Sequence, residues 1–251
     1  MISDTVHVWI CDLKHRRLAL QGEPDPLKIL NQAELNHYSS LGDEAQKIAY
    51  LYSRVMLQRL LTDCFIGSNR NISVSKNANG KPVLLGPEKD IENLHISISY
   101  TEHWVAVALG KVAAMGIDIE CIDQLFATKE IAQRFFHKNE VSDLSRHHTT
   151  YPFRFAQFWT LKEAFLKCTG TGLDMPLDSI EFALDAKQIV YKIHDRQYDG
   201  QYQFSQYLLN NEVCLSVCTS PMGGDKVTLR VSAFPTDTTD TPGLCTQLGD
   251  C

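Results

Sequence analysis

Three groups of residues combine side chains and spacing suited to chemistry. The first is Gly116-Ile117-Asp118-Ile119-Glu120. Side chains alternate between faces on a β-strand, so Asp118 and Glu120 share one face while Ile117 and Ile119 point into a core. Two carboxylates one pleat apart, with no lysine or arginine beside them, form a hard-oxygen site suited to magnesium. The same pair also fits the plain solvent face of an edge strand.

The second group runs from Phe158 to Lys167 (FWTLKEAFLK). At helical spacing Phe158, Leu161, Phe165 and Cys168 line one stripe, while Trp159, Glu163 and Lys167 line another. A carboxylate then stands between two ammonium groups, Lys162 and Lys167. An exposed glutamate–lysine pair would have the same spacing and contribute about 0.2–0.5 kcal/mol, but Trp159 on that stripe points to a face that is not fully solvated. The third group is the turn Gly80-Lys81-Pro82 together with Ser97-Ile98-Ser99-Tyr100-Thr101. A lysine on a rigid turn and hydroxyls at a strand end suit phosphate oxygens, although each is also common loop chemistry.

The elements that must position these groups follow from the patterning. Val6 to Ile10 reads as a strand, followed by a polar loop through Pro24 and Pro26. Apolar residues at Ile48, Leu51, Tyr52, Val55 and Leu60 predict a long amphipathic helix over 43–64, which carries Lys47, Arg54 and Arg59. The segment 77–82 is turn chemistry, 96–109 reads as two strands around Thr101-Glu102, and 113–119 as another strand. Helices are expected over 128–136, 140–145 and 155–168, the last stopped by Gly170-Thr171-Gly172. Strands are expected over 180–184, 188–193, 202–209, 213–219 and 227–233. The fold class is α+β, with two comparable halves, 1–112 and 113–234, and a mobile tail over 235–251.

Composition narrows the partners. The 251 residues carry 24 Lys plus Arg against 30 Asp plus Glu, a net charge of -6. A split at residue 125 leaves 12 basic and 15 acidic side chains on each side, so neither end is a charged tail. Nucleic acid and anionic membranes demand a basic footprint that is missing here. The longest apolar run, Trp104 to Leu109, falls far short of the roughly 20 residues that cross a bilayer. The eight cysteines lack zinc-finger spacing, and the basic cluster follows the first apolar stretch, the reverse of a secretion signal. These features predict free thiols in a cytoplasmic protein.

In their order and spacing the three groups resemble the 4'-phosphopantetheinyl transferases of the surfactin-synthetase-activating (Sfp) type. The resemblance runs from Gly80-Lys81-Pro82 through Ile98 to Trp104, Gly116 to Glu120 and Arg134-Phe135-Phe136 with Glu140, to Trp159-Thr160-Leu161-Lys162-Glu163-Ala164, Lys167 and Gly172-Leu173. It implies two similar α/β-sandwich-like halves related by pseudo-two-fold symmetry, with the active site at their junction.

The resemblance further implies transfer of the 4'-phosphopantetheine arm of coenzyme A to a serine of an apo acyl, peptidyl or aryl carrier protein, releasing adenosine 3',5'-bisphosphate. Asp118, Glu120 and Glu163 would hold Mg2+ (or Mn2+), Glu163 would take the serine proton, and Lys162 and Lys167 would lie against the phosphates. Coenzyme A would be contacted by Lys81, Pro82, Ser99, Tyr100 and Thr101, with Lys47 and Arg54 toward its 3'-phosphate. Tyr100 stands where the family usually has histidine, which removes a positive charge from the nucleotide site. Arg134-Phe135-Phe136 would form the carrier-docking edge, with Lys138 and Arg146 as local basic residues. One chain builds both sides of the site, so a monomer is expected. The same carboxylates also suit a magnesium-dependent phosphodiesterase, and Tyr100 leaves room for an inactive binding module.

Overall fold

The computed structural model describes residues 5–14, 26–66, 72–87, 91–123, 126–185, 188–223, 226–234 and 245–250. Strand β1 (Thr5–Asp12) leads into helices α1 (Gln32–Ser40) and α2 (Glu44–Leu61), the hairpin β2 (Ser73–Lys76) and β3 (Pro82–Leu85), and strands β4 (Leu94–Tyr100) and β5 (Trp104–Lys111). The second half opens on β6 (Ala114–Cys121). It continues through α3 (Lys129–Phe135), α4 (Lys138–Arg146), α5 (Tyr151–Thr169), the hairpin β7 (Ile180–Leu184) and β8 (Ile189–Ile193), then β9 (Gln203–Leu209) and β10 (Val213–Ser220). Strands β11 (Thr228–Ala233) and β12 (Cys245–Asp250) follow.

The two halves repeat one topology. In the first sheet the order β1-β5-β4 sets the last strand in the middle, and in the second sheet β6-β10-β9 does the same. Each half places a long helix and a two-stranded hairpin between its first strand and its final pair. Each also gains one edge strand: β11 runs parallel to β1, and β12 runs antiparallel to β9. Residues 228–233 therefore complete the sheet of the first half, although their place in the sequence assigns them to the second. The expected mobile tail likewise holds a strand at 245–250; the rest of 235–251 lies outside the described residues.

Alternating side chains explain the stacking of layers. Trp9, Cys11, Val105 and Val107 face α2, whereas Val6, Val8, Ala106 and Ala108 face the second sheet through Met115, Ile117, Ile119, Leu215 and Val217. The far face of that second sheet receives α5 through Phe158, Leu161, Phe165 and Cys168. The order is helix, sheet, sheet, helix. Strands buried on both faces have to be nearly continuous in apolar residues, and Trp104 to Leu109 is such a strand.

Two devices fix α5 on its sheet. A polar network at its middle joins Thr160 Oγ1 to Ser216 Oγ at 2.7 Å and Gln206 Nε2 to Ser216 Oγ at 2.9 Å, all of it buried. At its end, Gly116 lets the helix touch β6: a Cβ there would lie 2.1 Å from Ala164 O and 2.3 Å from Cys168 N. No other residue type allows that approach.

Candidate active site

The two sheets meet edge to edge at β4 and β6, and side chains take the place of a backbone ladder there. Ile117 N donates to Ser97 Oγ at 2.9 Å, and Ile119 N to Ser99 Oγ at 3.4 Å. The spacing of the hydroxyls on β4 thus matches that of the unpaired N–H groups on β6. Ser99 does more, since its hydroxyl donates to Asp118 Oδ1 at 2.9 Å and accepts from Lys167 Nζ at 3.0 Å.

Gly116, Asp118 and Glu120 project from β6 toward α5, and the contact permitted by Gly116 draws the end of the helix close. Lys167 Nζ reaches Asp118 Oδ1 at 2.6 Å. Asp118 is 4% exposed, and its second oxygen, Oδ2, is buried without a hydrogen-bond partner among the described residues. Such an orphaned carboxylate oxygen is costly unless something cationic or protic meets it. Burial pushes the Glu120 carboxyl up to about 7, with Asp118 and Glu163 adding to the rise and Lys167 opposing it. Burial and then Asp118 push Glu163 up, again against Lys167. Three carboxylates on one lysine leave negative charge uncompensated.

A cavity of about 320 Å³ opens beside them, lined by Lys81, Pro82, Ser97, Glu163, Lys167 and Gly172 among others. The Lys81 turn is pinned to the end of α5: Asn79 Nδ2 donates to Gly170 O at 2.8 Å, and Lys81 Nζ donates to Cys168 O at 2.9 Å and Met115 O at 3.2 Å. Burial pushes the Lys81 ammonium down. The first half therefore supplies Lys81, Pro82, Ser97 and Ser99, and the second supplies Asp118, Glu120, Glu163 and Lys167.

Other expected site residues fall elsewhere. Lys162 leaves the opposite side of α5, fully buried, and pairs at 2.8 Å with the equally buried Glu140. Its ammonium also donates to Leu177 O at 2.8 Å and to Ile180 O. Every donor is used, so it cannot reach a phosphate in the cleft; consecutive helical residues diverge by about 100°, and the second of the two adjacent lysine–glutamate positions takes the cleft. Thr101 Oγ1 accepts from Trp104 N at 3.1 Å and His103 N at 3.3 Å, which makes it a cap of the β4–β5 turn. Tyr100 is 39% exposed. Lys47 is paired with Glu44 at 2.7 Å, and Arg54 with Glu34 at 2.8 Å. Arg54 also stacks 4.4 Å over Tyr50.

At the expected docking edge, Phe136 is a core residue packed 4.9 Å from Phe155. Phe135 is half-buried beneath Arg134 and 6.1 Å from Trp159. Phe126, 36% exposed and 5.0 Å from Trp159, extends that aromatic face; it was not marked by any sequence pattern because it sits in a loop. Nor do Asp118, Glu120 and Glu163 form the tightest ligand cluster. Among the described residues, the three metal-type ligand atoms that lie within 4.8 Å of one another belong to His137, Glu181 and His194.

The family model described as "4'-phosphopantetheinyl transferase superfamily" matches residues 114–218, which hold β6, α5 and the three carboxylates. A 4'-phosphopantetheinyl transferase from Bacillus pumilus, psf-1, is 30% identical over 171 residues, 67% of this chain and 70% of its own. The chain belongs to the 4'-phosphopantetheinyl transferase superfamily. Superfamily members from Bacillus subtilis include ffp, 35% identical over 135 residues, and Sfp of strain 168, 33% identical over 138 residues. Those matches cover 53% of this chain, and the chain spans 57% of the length of each relative. Among solved structures, the holo-[acyl-carrier-protein] synthase of Thermotoga maritima overlaps 43% of this chain and 64% of its own, with 23% identity and a TM-score of 0.35. No helix among the described residues is long and apolar enough to cross a membrane.

Proposed function

We propose that this protein transfers the 4'-phosphopantetheine group of coenzyme A to a serine hydroxyl of an apo carrier protein. The observation that carries the reading is the pairing of Lys167 with Asp118 beside an orphaned Asp118 Oδ2 and two carboxylates pushed up in pKa, with Glu163 and Lys167 lining a cavity built by both halves. A hard divalent cation fits this donor set, which offers oxygen ligands only and excess negative charge. Asp118, Glu120 and Glu163 would hold Mg2+, which when bound neutralises pyrophosphate charge.

The chain's own residues account for the rest. Lys81, held on the end of α5, and Lys167 both line the cavity and offer donors for the pyrophosphate oxygens. The serine oxygen bonds to the phosphorus that bears pantetheine, the bridging P–O bond breaks, and adenosine 3',5'-bisphosphate departs. Glu163 accepts the serine proton; a carboxyl raised toward neutrality is better matched to that task than an ordinary one. Tyr100 marks the exit toward the 3'-phosphate, where Arg54 and Lys47 would exchange Glu34 and Glu44 for phosphate oxygens. The half-exposed face of Phe126, Phe135 and Trp159, with Arg134 above it, suits an acidic carrier's helix. Two halves of one chain completing the cleft support a monomer, and six cysteines outside disulfides among the described residues suit the reducing cytoplasm.

The test is incubation with coenzyme A, magnesium and an apo carrier protein, followed by intact mass. The carrier gains one phosphopantetheine, and Glu163→Gln lowers the rate by about 10²–10⁴-fold. An unmodified carrier with coenzyme A consumed would show hydrolysis in place of transfer and would sink the proposal.

A further inference from the structure

Away from the cleft, three side chains from three elements converge on the outside of the second half. His137 caps α4, Glu181 lies on β7, and His194 follows β8. Glu181 Oε2 is 3.1 Å from His194 Nε2 and 3.4 Å from His137 Nδ1. Tetrahedral zinc sites have bonds of about 2.0–2.2 Å, which place neighbouring ligand atoms roughly 3.3–3.6 Å apart. The spacing around Glu181 is close to that of a site of this kind.

The surroundings orient the carboxylate. Asn139 Nδ2 donates to the other carboxylate oxygen, Glu181 Oε1, at 2.6 Å and fixes its orientation, as outer partners of metal ligands do. His137 Nδ1 also accepts the Asn139 backbone N–H, at the long distance of 3.4 Å, a contact that a metal bond would replace.

We propose that His137, Glu181 and His194 form a cation site, separate from the cleft, for a zinc-class divalent ion. Two imidazoles and one carboxylate are borderline ligands that suit Zn2+ and are poor for Mg2+, which demands oxygen. The two rings stack at 4.9 Å with 15° between planes; His194 is exposed and would be the ligand free to turn toward an ion, whereas His137 is half-buried. Three protein ligands leave the fourth position open to solvent. The ion would clip the start of α4 to the β7–β8 hairpin. Those elements also seal the Lys162–Glu140 pair, because Glu140 lies on α4 and accepts Phe182 N from β7 at 2.8 Å. The clip would therefore brace the outer layer over α5 without touching the reacting groups.

Calorimetric titration of the full chain with ZnCl2, in excess MgCl2 and a phosphine reductant, tests this. One Zn2+ equivalent binds the wild type and raises its melting temperature, and His194→Ala, on an exposed turn, loses both the equivalent and the shift. Co2+ used in its place gives weak visible bands without the strong near-ultraviolet absorption of a thiolate complex. Zinc bound equally by wild type and His194→Ala, a thiolate spectrum, or no binding by the wild type would each overturn the proposal.

Discussion

Lys162 and Glu163 are neighbours in sequence and belong to two charged clusters on opposite sides of α5. Around Lys162 the accounts close: one ammonium meets Glu140 and two backbone carbonyls, and Glu140 also accepts Phe182 N and His137 N at 2.8 Å each. Around Glu163 they stay open, with three carboxylates on Lys167 and a buried oxygen of Asp118 unmatched. Both clusters bear the cost of burying charge. A satisfied cluster specifies a structure, whereas an unsatisfied one, held in place by well-packed helix and strand, is poised to bind something. The Lys162–Glu140 pair anchors the helix from which Glu163 and Lys167 extend.

The sharpest way to break that comparison is to neutralise each neighbour in turn. Lys162→Met leaves Glu140 buried without its partner and is expected to cost about 3–5 kcal/mol of stability, a drop of several degrees in melting temperature at roughly 2–4 °C per kcal/mol for a chain of this size. Glu163→Gln should melt at or above the wild-type temperature, because it removes one of three opposed charges, while losing transfer activity. Thermal denaturation beside a carrier-loading assay reads both. Equal destabilisation by the two substitutions would end the distinction.

Gly116→Ala tests the contact that holds the open cluster together. Its Cβ would meet Ala164 O and Cys168 N at 2.1 and 2.3 Å, so α5 has to shift away from β6. Overpacking of this kind costs about 1–3 kcal/mol, and a displacement of about 1 Å at reacting groups costs on the order of 10²-fold in rate. Activity should therefore fall much further than stability, as measured by the same pair of assays. A fully active Gly116→Ala would show that the Asp118–Lys167 contact does not depend on this approach.

The open cluster should also declare itself through pH. Glu120 has a folded-state pKa of about 7 against an ordinary 4.5, chiefly through burial, so between those values the folded protein holds a proton that the unfolded chain has released. Its contribution to stability is complete below about 4.5 and is lost as pH rises through about 7, a loss on the order of 1–3 kcal/mol. Urea denaturation of the chelator-treated protein at pH 5.5 and 8 measures it, and Glu120→Gln should flatten the difference. An unchanged slope in that variant would remove Glu120 from the cluster.

Much of this was legible in the sequence because periodicity reports burial. The stripe Phe158, Leu161, Phe165 and Cys168 is the buried face of α5, and the alternation in Gly116 to Glu120 assigned the isoleucines to the core. What stayed hidden depended on partners distant in the chain. Lys162 and Glu163 looked alike until the core defined their faces, and Glu140 gave no sign of its partner. Helix α1 has little apolar stripe, and its readable signal was the Asn31–Glu34 capping box. Strand β11 has an exposed, alternating pattern that fits either sheet, so pairing with β1 is decided by topology. The His137, Glu181 and His194 cluster draws on residues up to 57 positions apart in a chain with nine histidines, and no short motif contains it.

The smallest expected effect concerns Tyr100, 39% exposed at the end of β4. A phenol donates one hydrogen bond to a phosphate oxygen and brings no charge, whereas a histidine adds a cation when protonated. At a partly exposed position an added ion pair contributes about 0.2–1 kcal/mol, so Tyr100→His should lower KM for coenzyme A by no more than about fivefold. Because the gain needs the imidazolium, it should be larger at pH 6 than at pH 8, and kcat should hold because Glu163 and Lys167 are unaltered. Steady-state kinetics at the two pH values with coenzyme A varied makes the measurement. A gain that does not depend on pH would mean that hydrogen bonding, and not charge, sets nucleotide affinity at this position. No gain at all would place the 3'-phosphate away from Tyr100, and Arg54 and Lys47 would lose their proposed role with it.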